Sequence, residues 1–108
     1  MIKTDEPALQ PITPTGVVYH VKSWTHFFQA IKRGDKTHDM RDLKDRNYRI
    51  GDILNLREYD PFTGKYSGDE CPVMVTYITS ADTPCAFSSA ALAPGYAILS
   101  LRLVCHDI

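Results

Sequence analysis

A single stretch of this sequence places its apolar residues at the spacing of a helix. The positions i, i+3, i+4 and i+7 are occupied by Trp24, Phe27, Phe28 and Ile31, which together form one face of an α-helix. Ser23 precedes them as a candidate N-cap, and Gly34 follows two basic residues where the helix is predicted to end. The chain therefore has one main helix, and most of its core must come from strands.

Five other segments have the composition or the alternation of β-strands. They are residues 17–21, 36–41, 53–59, 72–78 and 96–104. Residues 80–95 contain prolines and several small residues, which predicts a long loop or a short helical turn. Because helices do not alternate with these strands, the sequence predicts an α+β fold with a small open barrel of about five strands.

The chain length and composition predict one folded domain. A chain of 108 residues suits a single core, and 44% hydrophobic residues exclude disorder for most of it. Residues 1–16 hold three prolines and Gly16 among polar residues, which predicts an extended N-terminal arm, with the domain at residues 17–108.

Cysteine usage and hydropathy indicate a cytoplasmic protein. The three cysteines lack C-x-x-C spacing, which excludes a zinc ribbon and a disulfide framework and favours a reducing compartment. They are Cys71, Cys85 and Cys105. No apolar run approaches the roughly 20 residues of a membrane span, and the N-terminus has no apolar signal core, so we expect no membrane association.

Basic residues are concentrated in residues 32–49. This segment holds seven Lys or Arg residues and four Asp residues, in a chain whose net charge is −1. The net charge excludes a broadly cationic nucleic-acid surface, so any anion site must be local. The segment is either a solvated loop of ion pairs or part of a site in which Lys22 and Trp24 supply a cation and an aromatic plane for a nucleotide. Trp24 could also be a core residue.

Other reactive residues give weaker patterns. The histidines lack the spacing of metal ligands and there is no phosphate-binding loop, so the sequence predicts no metal and no cofactor. Cys71 and Cys85 have no base beside them in the sequence, and we expect both to be buried structural thiols. Lys36 and Asp39 form either an ordinary salt bridge or a pair in which a lysine of lowered pKa orients a water.

Several short motifs occur in an order that matches one superfamily. They lie at residues 20–24, 34–37, 39–41, 45–46, 51–54, 56–60, 63–68, 76–78 and 95–101. With the G-x-K-T segment at 34–37 at their centre, they resemble the ASCH branch of the PUA-like superfamily, in particular a small bacterial and phage family of PUA-like proteins. The resemblance covers residues 17–103.

This resemblance implies a mixed β pseudo-barrel with the main helix at a cleft that binds RNA or a nucleotide, in some relatives a modified base. The positions it places at the cleft are Lys22, Trp24, Lys36, Thr37, Asp39, Arg41 and Arg46. The cations would neutralise phosphates or bond a base edge, and Trp24 would stack on the base. Asp39 would accept from an exocyclic amino group or hold Lys36 and Arg41 in place.

The resemblance also leaves two other functions open. Some ASCH proteins are similar to amidohydrolases of N4-acetylcytidine, which use a lysine, a threonine three residues later and a glutamate. Lys36 matches, but Asp39 stands at the threonine position and residues 80–95 contain no Glu. A ribonuclease would also be a hydrolase of this branch, and for either enzyme Lys36 and Asp39 are the candidate catalytic residues. A domain that binds a phage or host protein is favoured only by the N-terminal arm.

Overall fold

The computed structural model describes residues 11–104, apart from the side chain of Ser89. The first ten residues of the predicted arm, together with Cys105 and His106, lie outside the described residues. The described chain is a curled half-barrel sheet of five strands with one main helix, as the predicted α+β pseudo-barrel requires. Its elements are β1 (Val18–Trp24), α1 (Thr25–Lys32), β2 (His38–Asp42), β3 (Ile53–Asp60), β4 (Lys65–Ser80), α2 (Ser88–Ala91) and β5 (Tyr96–Leu103). Among the described residues, neither helix is long and apolar enough to cross a membrane.

The sheet is mixed, with the strand order β1-β3-β4-β5-β2. β1 runs parallel to β3, whereas the other three neighbouring pairs are antiparallel. A register shift between Val75 and Tyr77 of β4 marks an irregularity in its pairing with β5, and irregularities of this kind bend a strand and increase its twist. β1 and β2 are the two edges of the sheet, although both lie next to α1 in the sequence.

The core is built by alternation along the central strands and by one side of α1. The inward residues of β3 and β4 include Leu54, Leu56, Val73 and Val75, which are all fully buried. Alternation along β5 is as predicted, since Ala97, Leu99 and Leu101 are its buried residues. From α1 only Phe28 and Ile31 are buried, because a helix of eight residues covers the sheet with about one side of two turns.

The helix ends where the sequence predicts but begins one residue later than predicted. Gly34 has φ +87° and donates to the Ile31 carbonyl at 2.9 Å, while Asp35 donates to the Ala30 carbonyl at 2.9 Å. These two bonds form a Schellman motif, which needs a left-handed residue. The prediction of Ser23 as N-cap is wrong, since Ser23 lies in β1 and Trp24 occupies the N-cap position without a capping side-chain hydrogen bond.

Two strands differ from their predicted bounds. β4 begins at Lys65 rather than at residue 72, because the polar residues 65–70 pair with β3 across a hairpin, as in Arg57 with Glu70. Cross-strand pairing compensates there for a low intrinsic strand propensity. β2 begins at His38, so that Lys36 and Thr37 precede the strand instead of lying in it.

Part of the predicted arm is attached to the domain. The backbone of Thr15 donates to the Gly51 carbonyl at 3.2 Å, and its hydroxyl donates to the carboxylate of Asp52. Asp52 is 1% exposed and also accepts from the Arg49 backbone at 2.8 Å. The carboxylate therefore joins the segment before β1 to the turn before β3, and its burial is compensated by hydrogen bonds.

Candidate functional site

The two edge strands of the sheet meet at the side chain of Arg41. Arg41 lies in β2, and its Nη2 donates to the backbone carbonyl of Lys22 in β1 at 3.0 Å. Within the described residues β1 and β2 do not share a ladder, so this bond is a side-chain link across the opening of the half-barrel. The opening at this link is where the polar residues of both edges come together.

Asp39 holds Arg41 in that position. Nε and Nη2 of Arg41 each lie 2.8 Å from the same oxygen of Asp39, Oδ2. The two side chains are only 22% and 16% exposed, so the pair is shielded from water on most sides and is stronger than an ordinary surface pair. The predicted pairing of Lys36 with Asp39 is therefore wrong, since Asp39 pairs with Arg41 and Lys36 contacts His38.

A cleft of about 270 Å³ opens beside this ion pair. We call it the seam cleft, and its lining residues are Lys22, Ser23, Trp24, Phe27, Asp39, Met40 and Arg41. Trp24 is 51% exposed and Phe27 is 44% exposed. Their rings stack at a centroid distance of 6.2 Å with 19° between the planes. Trp24 is therefore a cleft residue rather than a core residue, and about half of its side chain is exposed.

Lys22 supplies a second cation to the seam cleft. Its position in β1 is exposed, and its Nζ lies 4.2 Å from the centroid of the Tyr59 ring on the neighbouring strand. A cation over a ring face is held electrostatically without losing its charge. Lys22 and Arg41 outweigh the single carboxylate of Asp39 among the lining residues, so the seam cleft has a local positive excess in a chain of net charge −1.

Arg46 lies next to the seam cleft and not inside it. A second pocket of about 210 Å³ is lined by Arg46 together with Arg41, which belongs to both cavities. The Arg46 guanidinium carbon lies 5.3 Å from the centroid of the Tyr19 ring. Because Arg41 lines both cavities, the pocket at Arg46 is adjacent to the seam cleft.

Lys36 and Thr37 line a different and mainly apolar pocket, which also involves Ile31 and Leu101. The Nζ of Lys36 lies 3.3 Å from Nε2 of His38 and 5.7 Å from the centroid of the Phe27 ring. Its ammonium therefore approaches the outer side of one wall of the seam cleft. The structure brings together Lys22, Trp24, Asp39 and Arg41, and it leaves Lys36 and Thr37 to one side.

Sequence reasoning missed Phe27, Met40 and Tyr59 as residues of this region. Phe27 has the same helical spacing as the buried Phe28, and no local signal distinguishes the two. Met40 is exposed between the two members of the ion pair. The alternation of β2 could have identified Met40, because an apolar residue between Asp39 and Arg41 lies at an outward position of the strand, where polar residues are usual.

One family of domains matches nearly the whole described sheet. Residues 18–101 match the sequence model of the family described as "Domain of unknown function (DUF3850)". The chain belongs to this family. The match runs from the first residue of β1 almost to the end of β5, so every residue of the seam cleft in this DUF3850 domain lies inside it. No curated protein matches the sequence.

Two cysteines of the DUF3850 domain are free thiols in different surroundings. Cys71 is buried as predicted, and this burial raises the pKa of its thiol. The prediction of a buried Cys85 is wrong, since it is exposed in the loop before α2. Hydrogen bonds from the Phe87 backbone and the Ser88 hydroxyl stabilise its thiolate, which lowers the pKa of Cys85. Cys85 is thus the more nucleophilic of the two at neutral pH.

We expect iodoacetamide to alkylate Cys85 well before Cys71. The thiolate is the reacting form, so the rate at Cys85 should reach half its maximum at a lower pH than the rate at a cysteine in an unstructured peptide. Peptide mass mapping of the Cys105→Ser protein between pH 6 and pH 10 measures both rates. In Ser88→Ala the half-maximum should move to higher pH. Equal rates at Cys71 and Cys85 would contradict this assignment.

Proposed function

We propose that this DUF3850 domain binds RNA or a nucleotide in the seam cleft without converting it chemically. The observation that carries the proposal is the exposed indole of Trp24 beside the guanidinium of Arg41, which Asp39 fixes. Nucleotide sites combine an aromatic plane for the base with cations for the phosphate, and both are already in place here. A relationship to the ASCH branch is part of the same proposal, supported by the curled sheet with its helix beside the cleft.

The base would stack against the indole of Trp24, whose orientation is stabilised by its contact with the Phe27 ring. An aromatic side chain held by a neighbour loses little conformational freedom on binding, so more of the stacking energy is retained. Among the described residues, Oδ1 of Asp39 accepts no hydrogen bond, since the Nε hydrogen bond and the Nη2 ion-pair contact of Arg41 both involve Oδ2. That oxygen can accept from an exocyclic amino group, which favours cytosine, adenine or guanine over uracil.

The phosphates would contact Lys22 and Arg46, which flank Arg41 on either side. Arg41 itself is engaged with Asp39 and with the Lys22 carbonyl, so it positions the site more than it neutralises charge. Only a small number of phosphates can be contacted in this way. The cleft volume of about 270 Å³ likewise suits one nucleotide and not a duplex.

A hydrolase is less well supported, because Lys36 and Asp39 are not paired with each other. Lys36 contacts His38, and Asp39 contacts Arg41. The free thiols of Cys71 and Cys85 support the reducing, cytoplasmic location that an RNA-binding role implies. The N-terminal arm was the feature that favoured an interaction with a phage or host protein, and its first ten residues lie outside the described residues.

We expect the affinity for a short single-stranded RNA to depend only weakly on salt. Two phosphate contacts give a slope of about −1.4 for log K against log of the salt concentration. Lys22→Met keeps the side-chain length but removes the charge, and it should weaken binding and lower the slope by about 0.7. Isothermal titration between 50 and 300 mM salt measures both quantities.

The control for this prediction is Arg49→Met, which makes the same charge change beside the turn at the opposite end of β1. It should leave the affinity and the slope unchanged. If both variants weaken binding equally, the attraction comes from the overall charge and not from the seam cleft. Mass spectrometry of the ligand after each titration should show no product, and a product would replace the binding proposal by a hydrolase.

A further inference from the structure

The hairpin between β3 and β4 carries a phenylalanine at its tip. Phe62 is 97% exposed, the highest value among the large hydrophobic side chains of the described residues. The turn that holds it is ordered, because Asp60 accepts from the Phe62 backbone at 2.9 Å through its side chain and from Gly64 at 2.8 Å through its carbonyl. An exposed aromatic ring on a preorganised turn is costly in water and is typical of a contact residue.

Phe62 faces the start of α1 across a second cavity, which we call the tip pocket. Its volume is about 450 Å³, larger than that of the seam cleft. Its walls are Trp24, Thr25, His26, Phe27, Asp60, Pro61 and Phe62. One indole, two phenyl rings and one imidazole therefore line a space of the size that small ligands occupy.

The tip pocket and the seam cleft share two walls. Trp24 and Phe27 line both cavities, so a ligand on one side of these rings is adjacent to a ligand on the other. Trp24 is the last residue of β1 and is exposed, so its ring lies outside the core. A single strand whose first base lies in the seam cleft can therefore extend past the Trp24 ring and place its next base in the tip pocket.

The two cavities differ in the charge of their lining residues, and this difference favours phosphate at one and an uncharged base at the other. The lining of the seam cleft includes Lys22 and Arg41, whereas the lining of the tip pocket includes no lysine or arginine. Its one carboxylate, Asp60, would repel a phosphate. The tip pocket is thus suited to the uncharged, flat base of a nucleotide. The charged phosphates would then lie on the side of Lys22 and Arg41.

We propose that the tip pocket is the subsite for a second base of the same single strand, stacked between Trp24 and Phe62. This inference rests on the proposed function, because it extends the ligand in the seam cleft by one nucleotide. It predicts that a dinucleotide is the shortest ligand that occupies both cavities. Stacking on one further aromatic ring strengthens binding by about tenfold or more.

The test measures affinity against ligand length. Isothermal titration would use mixed-base ribonucleotide pools of one, two and three residues with the wild-type chain, Phe62→Ala and Phe87→Ala. Phe87 is the matched control, since it is 78% exposed but lies in the α2 region, outside both cavities. Circular dichroism would confirm that each variant is folded.

We expect the wild-type chain to bind the dinucleotide pool about tenfold more tightly than the mononucleotide pool, with little further gain for three residues. Phe62→Ala should remove this gain and leave mononucleotide affinity unchanged, and Phe87→Ala should keep it. Mononucleotide binding without any gain, or a gain lost only in Phe87→Ala, would overturn the second subsite but not the proposed function.

Two other results would also overturn the proposal. Absence of binding at every length would remove the proposed function and the second subsite together. Self-association of the free chain that disappears in Phe62→Ala, measured by sedimentation velocity, would assign the tip pocket to a second copy of the chain.

Discussion

Replacing Gly51 by alanine is expected to lower the free energy of unfolding by about 3 kcal/mol, a large part of the roughly 5–15 kcal/mol that stabilises a domain. Gly51 has φ +99°, a conformation that L side chains rarely adopt. In addition, an added Cβ would overlap the carbonyl oxygen of Thr13. That oxygen belongs to the backbone, so relief requires moving the segment that Thr15 attaches to Asp52.

Gly68→Ala is the matched control for this prediction. Gly68 has a similar φ of +92°, but an added Cβ would meet nothing within 4 Å. Gly68→Ala therefore strains the backbone at positive φ but causes no steric overlap. We expect Gly51→Ala to be the more destabilising by about 2 kcal/mol. Urea unfolding followed by circular dichroism measures both variants. Equal losses would show that the segment before β1 does not pack on the Gly51 turn as described.

Asp39→Ala is expected to lower the free energy of unfolding by about 2 kcal/mol, because it leaves the guanidinium of Arg41 largely buried without its counterion. The loss is expected to exceed that for an exposed pair, since the side chains are only 16% and 22% exposed. Arg41→Ala should lose a similar amount, as it also removes the bond to the Lys22 carbonyl that links β1 and β2. The double variant should be less destabilised than the sum, with a coupling of about 1–2 kcal/mol.

Arg33 and Asp35 provide the matched pair for this double-mutant cycle. They have the same spacing of two residues and a 2.9 Å contact, but their side chains are 59% and 68% exposed. Their coupling should stay below about 0.5 kcal/mol, as for other surface pairs. If the two cycles gave the same coupling, the link between the sheet edges would be an ordinary surface contact.

The strands of the core could be predicted because burial imposes a pattern on each of them. Leu54 and Leu56 in β3, and Leu99 in β5, alternate with more exposed neighbours within single segments of the sequence. The first half of β4 could not be predicted in this way. Its residues are polar and exposed, and they are strand only because they pair with β3 across the hairpin.

The candidate site could be predicted only in part, for a related reason. Residue type indicated Lys22 and Trp24, the family resemblance implied Asp39 and Arg41, and the structure places all four around one cleft. Their proximity depends on the two edges of a curled sheet meeting, which is a property of strand order and curvature. Trp24 also illustrates the limit of periodicity, because it fits the apolar face of a helix that in fact begins one residue later.

Phe62 is the opposite case, because its local sequence clearly predicts a turn but indicates no function. The residues 60–64 have clear turn chemistry, and the hairpin tip forms there. Only the position of α1 across from the tip shows that the exposed ring faces a cavity with Trp24.

The most direct test of ligand binding in the seam cleft is a fluorescence titration of the wild-type chain. The sequence contains one tryptophan, and Trp24 lines both the seam cleft and the tip pocket, so its emission reports on a ligand bound against this ring. We predict saturable quenching by cytidine 5′-monophosphate and by short single-stranded RNA, with N-acetyltryptophanamide as the control for absorption by the ligand. Emission that follows this control at every concentration, or calorimetric binding without quenching, would contradict a nucleotide site at Trp24.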